Sequence, residues 1–397
     1  MLRKEDEKNL KKRGTPYFLI DEERILHNLE ILDGVRKRTG CRILLAQKAF
    51  SCFCCYPLIS SYLAGSTASG LYEARLGREY FGKETHVFSP AYREDEFEEL
   101  LQVSDHIVFN SVRQLQKFGK KAKEAGRSIG LRINPECSTQ EGHAIYDPCA
   151  PLSRLGVTLE NFEAALKEDG THGAEEEPET VFSLLDGLHL HTLCEQNSDA
   201  LLVTAKAFEE KFGKYLHKMK WINFGGGHHI TREDYDLETL ERVICHFRDT
   251  YGVQVYLEPG EAVVLNAGYL VSTVLEIVRN KGEIAILDTS AACHMPDVLE
   301  MPYRPPVRHS GEPQEKPFLY RLAGPTCLAG DVIGDYSFDE PLKEGDTVIF
   351  EDMALYTMVK TNTFNGMRLP DIAVLKPDGT IRQIRRFGYE DFKDRLS

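Results

Sequence analysis

One lysine, Lys48, follows the apolar run Ile43-Leu44-Leu45-Ala46 and precedes Ala49-Phe50. At the mouth of a buried strand an ammonium group loses part of its hydration, which lowers its pKa and frees the amine as a nucleophile. Such an amine could form a Schiff base with an aldehyde. The segment alone is equally compatible with an ordinary lysine that closes a strand in solvent.

Three other groups capable of chemistry stand at or just after the ends of predicted strands, namely His191, the triplet Gly225-Gly226-Gly227 and Glu258. Consecutive glycine N–H groups can hold a phosphate, although a tight strand-to-helix turn would use the same residues. Glu258 could keep a pyridine nitrogen protonated. His191 could stack on the same ring, or could be an ordinary core histidine. Together with Lys48, these residues predict a site for pyridoxal 5'-phosphate.

Eight short β-rich runs alternate with amphipathic stretches between residues 42 and 258. This alternation predicts right-handed βαβ units, and eight repeats favour a closed (β/α)8 TIM barrel over an open doubly wound sheet. Catalytic residues of such barrels lie at the C-terminal ends of the strands, so Lys48 and the other groups are expected together. The predicted strands are Arg42–Lys48, Ser66–Ser69, His86–Ser89, His106–Asn110, Ile129–Asn134, Leu184–His191, Trp221–Phe224 and Val253–Leu257.

After Gly260 the predicted strands follow one another without helices, which indicates a β-sandwich or β-barrel domain. The strand candidate Thr15–Ile20 is expected to join it. The predicted domains are therefore a cofactor-binding barrel at residues 22–263 and a discontinuous β domain at residues 1–21 and 264–397. An Asp378-Gly379 pair predicts a hairpin with a type I′ turn. The acidic stretch Glu168–Thr180 is expected to be a solvated loop.

The formal net charge of -14, from 62 acids and 48 bases, argues against nucleic acid and anionic membranes and favours a cationic ligand. Met1–Lys12 lacks the apolar core of a signal peptide, and no stretch is long enough to span a membrane. The ten cysteines are expected to be reduced thiols in a cytoplasmic protein. Cys52, Cys54 and Cys55 lack zinc-ligand spacing, so packing is expected and no metal ion is predicted.

Sequence blocks along nearly the whole chain resemble fold-type III pyridoxal-phosphate decarboxylases, the group that contains ornithine and diaminopimelate decarboxylases. Within this group the chain is most similar to the carboxynorspermidine branch. The resemblance implies an alanine racemase-like barrel followed by a β domain. The blocks are Ala46–Phe50, Ser153–Gly156, His189–Glu195, Phe224–Gly227, Glu258–Ala262, Cys293–Asp297, Gly324–Cys327, Glu351–Met353 and Tyr356-Thr357.

The resemblance also implies roles for individual residues. Cys327 would reach the neighbouring subunit's site and protonate the carbon that has lost CO2, and Asp331 would contact the substrate's distal amine there. A homodimer with shared active sites is therefore expected. Tyr356 would bind the cofactor phosphate. Glu261 replaces the arginine that ornithine and diaminopimelate decarboxylases carry at this position, and an acid favours a distal amine over a distal carboxylate.

The predicted activity is decarboxylation of carboxynorspermidine or carboxyspermidine, with the cationic chain of the substrate bound by Glu261, Asp288, Asp331 and Glu195. Asp288 closes the predicted strand Ile284–Leu287, where an aspartate could equally form a turn. Decarboxylation of ornithine, lysine, arginine or diaminopimelate stays open. An amino-acid racemase would usually place arginine rather than Glu258 at the pyridine nitrogen. A non-catalytic carrier of the cofactor or a polyamine sensor would not need Lys48 and Cys327 together.

Overall fold

The computed structural model describes Glu7, Leu10 and residues 13–140, 147–170 and 181–397. The chain divides into two compact units. One comprises Asn28–Lys48 and Cys55–Val263, and the other Met1–His27, Ala49–Cys54 and Val264–Ser397. Most of Met1–Lys12, and residues 171–180 of the predicted acidic loop, lie outside the described residues.

The first unit contains a closed barrel of eight parallel strands, which confirms the predicted (β/α)8 architecture. Each strand pairs with the next in sequence, and the ring closes where Arg42 and Ile43 pair with Tyr256 and Leu257. After a first strand outside the barrel, β1 (Tyr17–Asp21), the barrel strands are β2 Arg42–Ala46, β3 Gly65–Ala68, β4 Glu84–Phe88, β5 His106–Phe109, β6 Ser128–Arg132, β7 Gly187–His189, β8 Trp221–Asn223 and β9 Gln254–Leu257.

Helices connect these strands, and side-chain caps mark where some of them begin. Ser111 Oγ accepts a bond from Gln114 N, and Asp236 Oδ1 accepts one from Thr239 N. Within the described residues no helix has both the length and the apolar character needed to cross a bilayer. The α-helices of this part of the chain are Glu22–Thr39, Tyr56–Tyr62, Leu71–Leu76, Glu94–Val103, Val112–Glu124, Leu159–Gly170, Ser198–Leu216, Leu237–Tyr251 and Glu261–Val264, with a π-helical turn at Gly77–Phe81.

The barrel interior is filled by side chains, including the cluster of Leu44, Val108, Trp221 and Tyr256. The Trp221 ring lies against its strand partner Gly187 in β7. A Cβ atom at Gly187 would lie 2.1 Å from an indole carbon, so a side chain there would collide with the ring. Gly187 is therefore required by the packing of Trp221.

The second unit is built on a mixed sheet of eight strands, in the order β13-β12-β11-β10-β1-β15-β16 with β14 also paired to β10. β1 runs antiparallel to β10 and parallel to β15, which confirms that the N-terminal strand joins this sheet. The strand Val332–Phe338 was not predicted. The strands are β10 Gly268–Arg279, β11 Glu283–Leu287, β12 Phe318–Ala323, β13 Val332–Phe338, β14 Thr347–Glu351, β15 Asp371–Leu375 and β16 Ile381–Arg385, and the short helices are Ala291–His294, Asp297–Glu300, Thr357–Lys360 and Tyr389–Lys393.

The hairpin between β15 and β16 corrects the predicted turn type. Gly379 N donates to Lys376 O over 2.9 Å, and Lys376 N donates to Thr380 O over 2.8 Å. Gly379 has a φ of 82°. A type I′ turn needs positive φ at both central residues, but Pro377 at the first of them fixes φ near about −65°. The connection is a turn with proline at its first central position followed by a left-handed glycine, and the type I′ prediction was wrong.

Candidate active site

Lys48 lies two residues beyond the end of β2, at the end of the barrel where the other strands also terminate. Its side chain is solvent-accessible, yet the surrounding protein atoms remove part of its hydration. This burial lowers the pKa of Lys48, and the charge of Arg132 lowers it further, against the opposing charges of Glu258 and Glu261. A larger fraction of Lys48 is therefore the neutral, nucleophilic amine than for a lysine in water.

The glycine triplet after β8 forms a turn without space for side chains. Gly225 and Gly227 have φ of 67° and 83°. A Cβ atom at Gly227 would lie 2.1 Å from Leu193 O, and one at Gly226 would lie 2.5 Å from Glu258 O. Only glycine can occupy these positions, because a side chain would collide with the neighbouring backbone.

Two of the three N–H groups of this turn are already engaged. Gly225 N donates to Asn223 Oδ1 over 2.8 Å, and Gly226 N donates to His191 Nδ1 over 3.1 Å. The triplet therefore ties β8 to His191. Of its three amides, Gly227 N is the one without a bond to another described residue, and it is the amide available to an anion.

Glu258 is buried beyond the end of β9 and accepts two hydrogen bonds from side chains. Asn223 Nδ2 donates to Oε1 over 2.8 Å, and His189 Nε2 lies 3.3 Å from Oε2. Burial acts to raise the pKa of Glu258, but the bonds from His189 and Asn223 and the charge of His189 outweigh it and lower the pKa to about 2. Glu258 is thus ionised at neutral pH and would stabilise a cationic ring nitrogen.

His191 accepts the bond from Gly226 through Nδ1, so the neutral ring carries its proton on Nε2. Burial lowers the pKa of His191 well below its ordinary value, and the charges of Lys48 and Arg132 act in the same direction. The ring is neutral at neutral pH. A neutral imidazole can stack on an aromatic ligand, as the sequence predicts for this residue.

Arg132, the last residue of β6, was missed by the sequence analysis. Its Nη2 donates to His191 O over 3.2 Å, and its guanidinium lies 4.6 Å from the centre of the Phe88 ring. Burial lowers the pKa of Arg132 to about 10, which still leaves it cationic at neutral pH. The predicted strand Ile129–Asn134 did not place Arg132 at a strand end, and nothing in its type or spacing distinguished it from the other bases.

Glu261 begins the short helix Glu261–Val264 and accepts a 2.8 Å hydrogen bond from His229 Nε2. Burial acts to lower the pKa of His229, but the bond to Glu261 and the charges of Glu261 and Glu195 raise it above its usual value. Burial, together with the charges of Glu261 and Glu195, also raises the pKa of Cys194 to about 11. These shifts indicate a negative potential around Glu261 and the exposed Glu195. His229 was not singled out by the sequence.

In the second unit, the two predicted substrate-binding aspartates are engaged within their own sheet. Asp288 accepts bonds from Thr15 Oγ1 at 2.5 Å and Ser272 Oγ at 2.7 Å. Asp331 is buried and accepts bonds from Ser290 Oγ at 2.9 Å and Thr326 Oγ1 at 2.6 Å. The bonds to Asp331 hold the loop next to Cys327. Contact of either aspartate with a substrate amine stays a prediction, and these bonds do not favour it.

Cys327 and Tyr356 are the other predicted site residues of this unit. Cys327 is exposed, and its backbone N donates to Asn365 Oδ1 over 2.7 Å. Tyr356 has a φ of 55°, and its backbone N donates to Ala49 O over 2.8 Å. The backbone of both residues is therefore fixed, while the Cys327 thiol is accessible.

The residues at the C-terminal end of the barrel fit pyridoxal phosphate by their chemistry. Lys48 offers an amine of lowered pKa to the aldehyde, and Gly227 offers an amide to the phosphate in a tight turn that excludes side chains. Glu258 offers a buried negative charge to the protonated ring nitrogen. Each of these properties matches a different part of the cofactor.

The family model described as "Pyridoxal-dependent decarboxylase, C-terminal sheet domain" matches residues 24–354. The chain belongs to the pyridoxal-dependent decarboxylases. Members of this family depend on pyridoxal phosphate, so the match supports the predicted cofactor. The match also agrees with the resemblance to pyridoxal-phosphate decarboxylases that the sequence blocks indicate.

Individual pyridoxal-dependent decarboxylases are similar over nearly the whole chain. The carboxynorspermidine/carboxyspermidine decarboxylase of Campylobacter jejuni is 43% identical over 389 residues, which is 95% of this chain and 97% of that protein. The carboxyaminopropylagmatine decarboxylase of Synechocystis is 41% identical over 384 residues, 96% of this chain and 95% of that protein. The crystal structure of the Campylobacter jejuni carboxynorspermidine decarboxylase complexed with norspermidine superposes with a TM-score of 0.85 at 42% identity, covering 96% of this chain and 100% of that one.

Proposed function

We propose that this decarboxylase acts on carboxynorspermidine or carboxyspermidine and releases norspermidine or spermidine. The observation that carries the proposal is the buried Glu261 with the nearby Glu195, at the same barrel end as Lys48. A chain of ammonium groups is attracted to such a potential, whereas a distal carboxylate is repelled. The 43% identity to a relative with this activity supports the same substrate class.

Pyridoxal phosphate, when bound, draws electrons away from the substrate's α-carbon and so permits the loss of CO2. Lys48 would hold the cofactor covalently and yield its place to the substrate amine. Glu258 would face the ring nitrogen and keep its proton in place, because the carboxylate remains ionised at neutral pH. His191 would stack on the ring, and the turn Gly225-Gly226-Gly227 would hold the phosphate through its available amide, Gly227 N. Tyr356 would also bind the phosphate, as the resemblance implies.

At the far end of the substrate, Glu261 would accept a hydrogen bond from an ammonium group. Its Oε2 is bonded to His229 in this structure, so the substrate would share or replace that bond. Glu195 is exposed and would add charge attraction rather than a fixed contact. We retain Asp288 and Asp331 as weaker candidates, because their carboxylates already accept bonds from Thr15, Ser290 and Thr326.

Cys327 would donate a proton to the carbon that has lost CO2. Its exposed position suits a thiol that serves the site of a second copy, as the resemblance implies for a homodimer. The dimer would be detected by sedimentation, and mixing Lys48→Ala with Cys327→Ala chains would restore one complete site per mixed dimer. Recovery of about a quarter of the wild-type activity on mixing would support shared sites; no recovery would contradict them.

A second candidate substrate is carboxyaminopropylagmatine, because a relative that acts on it is 41% identical. The two substrates would differ at the distal cation, which is a guanidinium in one and an ammonium in the other. Glu261 could bind either group.

A panel of CO2-release assays tests the proposal, with carboxynorspermidine, carboxyspermidine, carboxyaminopropylagmatine, diaminopimelate, ornithine, lysine and arginine as substrates. We expect the highest kcat/KM with the first two. Borohydride reduction should attach the cofactor to Lys48 in the wild type and not in Lys48→Ala. A preference for diaminopimelate, or full activity in Lys48→Ala, would refute the proposed function.

A further inference from the structure

A second cluster of potential ligands lies at the N-terminal end of the barrel, opposite to Lys48. Glu84 and His106 are the first residues of β4 and β5, and His86 lies two residues after Glu84. Residues two apart on a strand face the same side, and His86 is the direct strand partner of His106. One ligand atom from each residue lies within 4.8 Å of the other two.

The two imidazoles have unused hydrogen-bonding capacity. Nδ1 of His86 and Nδ1 of His106 are buried and have no hydrogen-bond partner among the described residues. His86 is 1% exposed. His106 makes no hydrogen bond through either ring nitrogen within the described part of the chain. An unpaired buried polar atom costs about 1–3 kcal/mol, so an ion that bonded His106 through Nδ1 would remove one such cost and stabilise the barrel.

The other described imidazoles with a buried, unpaired Nδ1 lie at the C-terminal end of the barrel, where Lys48 lies. Buried Nδ1 atoms without a described partner also occur in His189, His228 and His229. His189 is bonded to Glu258, and His229 is bonded to Glu261, in the candidate active site. Unpaired imidazole nitrogens therefore accompany the end where a ligand is expected, and His86 and His106 repeat that feature at the opposite end.

The distances suit a transition-metal ion. His86 Nε2 lies 3.3 Å from Glu84 Oε2. Zinc binds imidazole nitrogen and carboxylate oxygen at about 2.0–2.2 Å, so two such ligands of a tetrahedral ion are about 3.3–3.6 Å apart. The ring of His106 is stacked on that of His86 with centres 3.9 Å apart and planes inclined by 10°. For His106 to bind the same ion, its side-chain torsions would have to change so that one ring nitrogen turns toward Glu84 and His86.

Two neighbouring side chains hold the carboxylate in place. Arg42 Nη1 contacts Glu84 Oε1, and the Tyr256 hydroxyl donates to Oε2 over 3.2 Å. Such contacts orient a metal-binding carboxylate. The charge of Arg42 also opposes a second cation, so we expect weaker binding than at a site with two carboxylates.

We propose that Glu84, His86 and His106 bind a divalent transition-metal ion, for which Zn2+ is the expected occupant, and that this ion stabilises the barrel. Two imidazoles and one carboxylate are a ligand set that zinc uses widely. The N-terminal face of a (β/α)8 barrel serves stability, whereas chemistry takes place at the opposite face. The proposed ion therefore has no part in decarboxylation.

The test compares zinc binding by the pyridoxal-phosphate-loaded wild type with that of His106→Phe and Glu84→Gln. Each protein is treated with a chelator, dialysed against Zn2+ and measured for bound metal and for Tm. His106→Phe retains a ring that can stack on His86 but provides no ligand. We expect about one ion per chain and a higher Tm with zinc in the wild type, and at least tenfold weaker binding with no rise in Tm in both variants. Glu84→Gln keeps the size of the side chain and serves if His106→Phe does not fold.

The competing donors for zinc are Cys52 and Cys54, whose sulfur atoms lie 3.4 Å apart. A Cys52→Ser/Cys54→Ser double variant is the matched control and should bind zinc like the wild type. Zinc uptake that is lost in the cysteine variant, or equal in wild type, His106→Phe and Glu84→Gln, would overturn the proposed site. Bound zinc without any change in Tm would overturn its stabilising role.

Discussion

Glu258 and Glu84 are acids at opposite ends of one barrel, and each lies 3.3 Å from a histidine Nε2. Their other partners differ. Glu258 accepts a bond from the neutral amide of Asn223, whereas Glu84 contacts the guanidinium of Arg42. The side chains described as donating to Glu258, those of Asn223 and His189, include no arginine or lysine, so the carboxylate has no permanently charged partner among these donors. Glu84 shares its charge with Arg42, so a cation bound at this end would compete with that guanidinium and would stabilise the barrel, whereas the charge of Glu258 serves the active site.

The largest expected effect on kcat is that of neutralising Glu258, and the same change at Glu84 provides the comparison. Glu258→Gln should lower kcat by about 100- to 1,000-fold, because the ring nitrogen loses the charge that keeps it protonated. Glu84→Gln, the matched control, should leave kcat within about twofold and lower the Tm by about 2–4 °C. Steady-state kinetics and thermal unfolding of both variants provide the comparison. Equal losses of kcat at the two ends would remove the distinction between them.

Substrate binding should depend on the next acid at the active-site end. Glu261→Gln should raise KM for carboxynorspermidine by about 10- to 100-fold, because a hydrogen bond to a charged group contributes about 1.5–3 kcal/mol. Cofactor affinity, measured by absorbance titration, should stay the same. Glu195→Gln, at an exposed position, should change KM by about twofold. If Glu261→Gln weakened cofactor and substrate equally, Glu261 would be part of the cofactor site.

The bond between His229 and Glu261 predicts a pH dependence. Because the pKa of His229 is raised in the folded protein, its protonated form pairs with Glu261 at low pH and competes with the substrate's ammonium group. The stability that the pair contributes is complete below the unfolded pKa of about 6.5 and is lost as pH rises through the higher folded value.

Accordingly, kcat/KM for the polyamine substrate should increase as pH rises through the pKa of His229. A His229→Asn variant should lose this increase, by up to about tenfold, because asparagine can bond to Glu261 without titrating. Profiles of kcat/KM against pH for both proteins measure the effect. Coincident profiles would assign the titration to another group, such as the substrate amines.

The smallest expected effect is that of salt. Raising ionic strength from about 0.01 to 0.15 M shortens the screening length from about 30 to 8 Å, and kcat/KM should fall about threefold. The fall should be smaller for Glu195→Gln, whose exposed charge is lost. The unfolding Tm provides an independent measure of any effect of salt on the fold. A kcat/KM that did not respond to salt would exclude electrostatic attraction of the substrate.

Much of the barrel was predictable because its signal is local. Each predicted barrel strand overlaps an observed one, as with Trp221–Phe224 and the observed Trp221–Asn223. β13 escaped because Gly334 and Asp335 are rare in strands. Its stability depends on a partner remote in sequence, since Arg321 on β12 bonds Asp335 over 2.8 Å at the paired position. That contact cannot be inferred from the residues of β13.

The sequence likewise predicted one part of the candidate site and not another. The rule that barrel strand ends converge was enough to group Lys48, His191 and Glu258. It could not reveal that Gly226 bonds to His191 or that His229 bonds to Glu261, because these bonds depend on side-chain torsions. Arg132 lay inside the predicted strand Ile129–Asn134, whereas the observed strand ends at it, and it was overlooked because charge alone does not indicate burial.

The bonds that Asp331 accepts from Ser290 and Thr326 give a second explanation for any loss of activity in an Asp331 variant. An inactive Asp331 variant would look like the loss of a substrate contact, yet the same result would follow if the loop next to Cys327 changed its conformation. Thr326→Val removes the hydroxyl donor and leaves the carboxylate in place. An enzyme engineer who seeks a new substrate range would therefore begin with Glu261 and leave Asp331 as part of the scaffold.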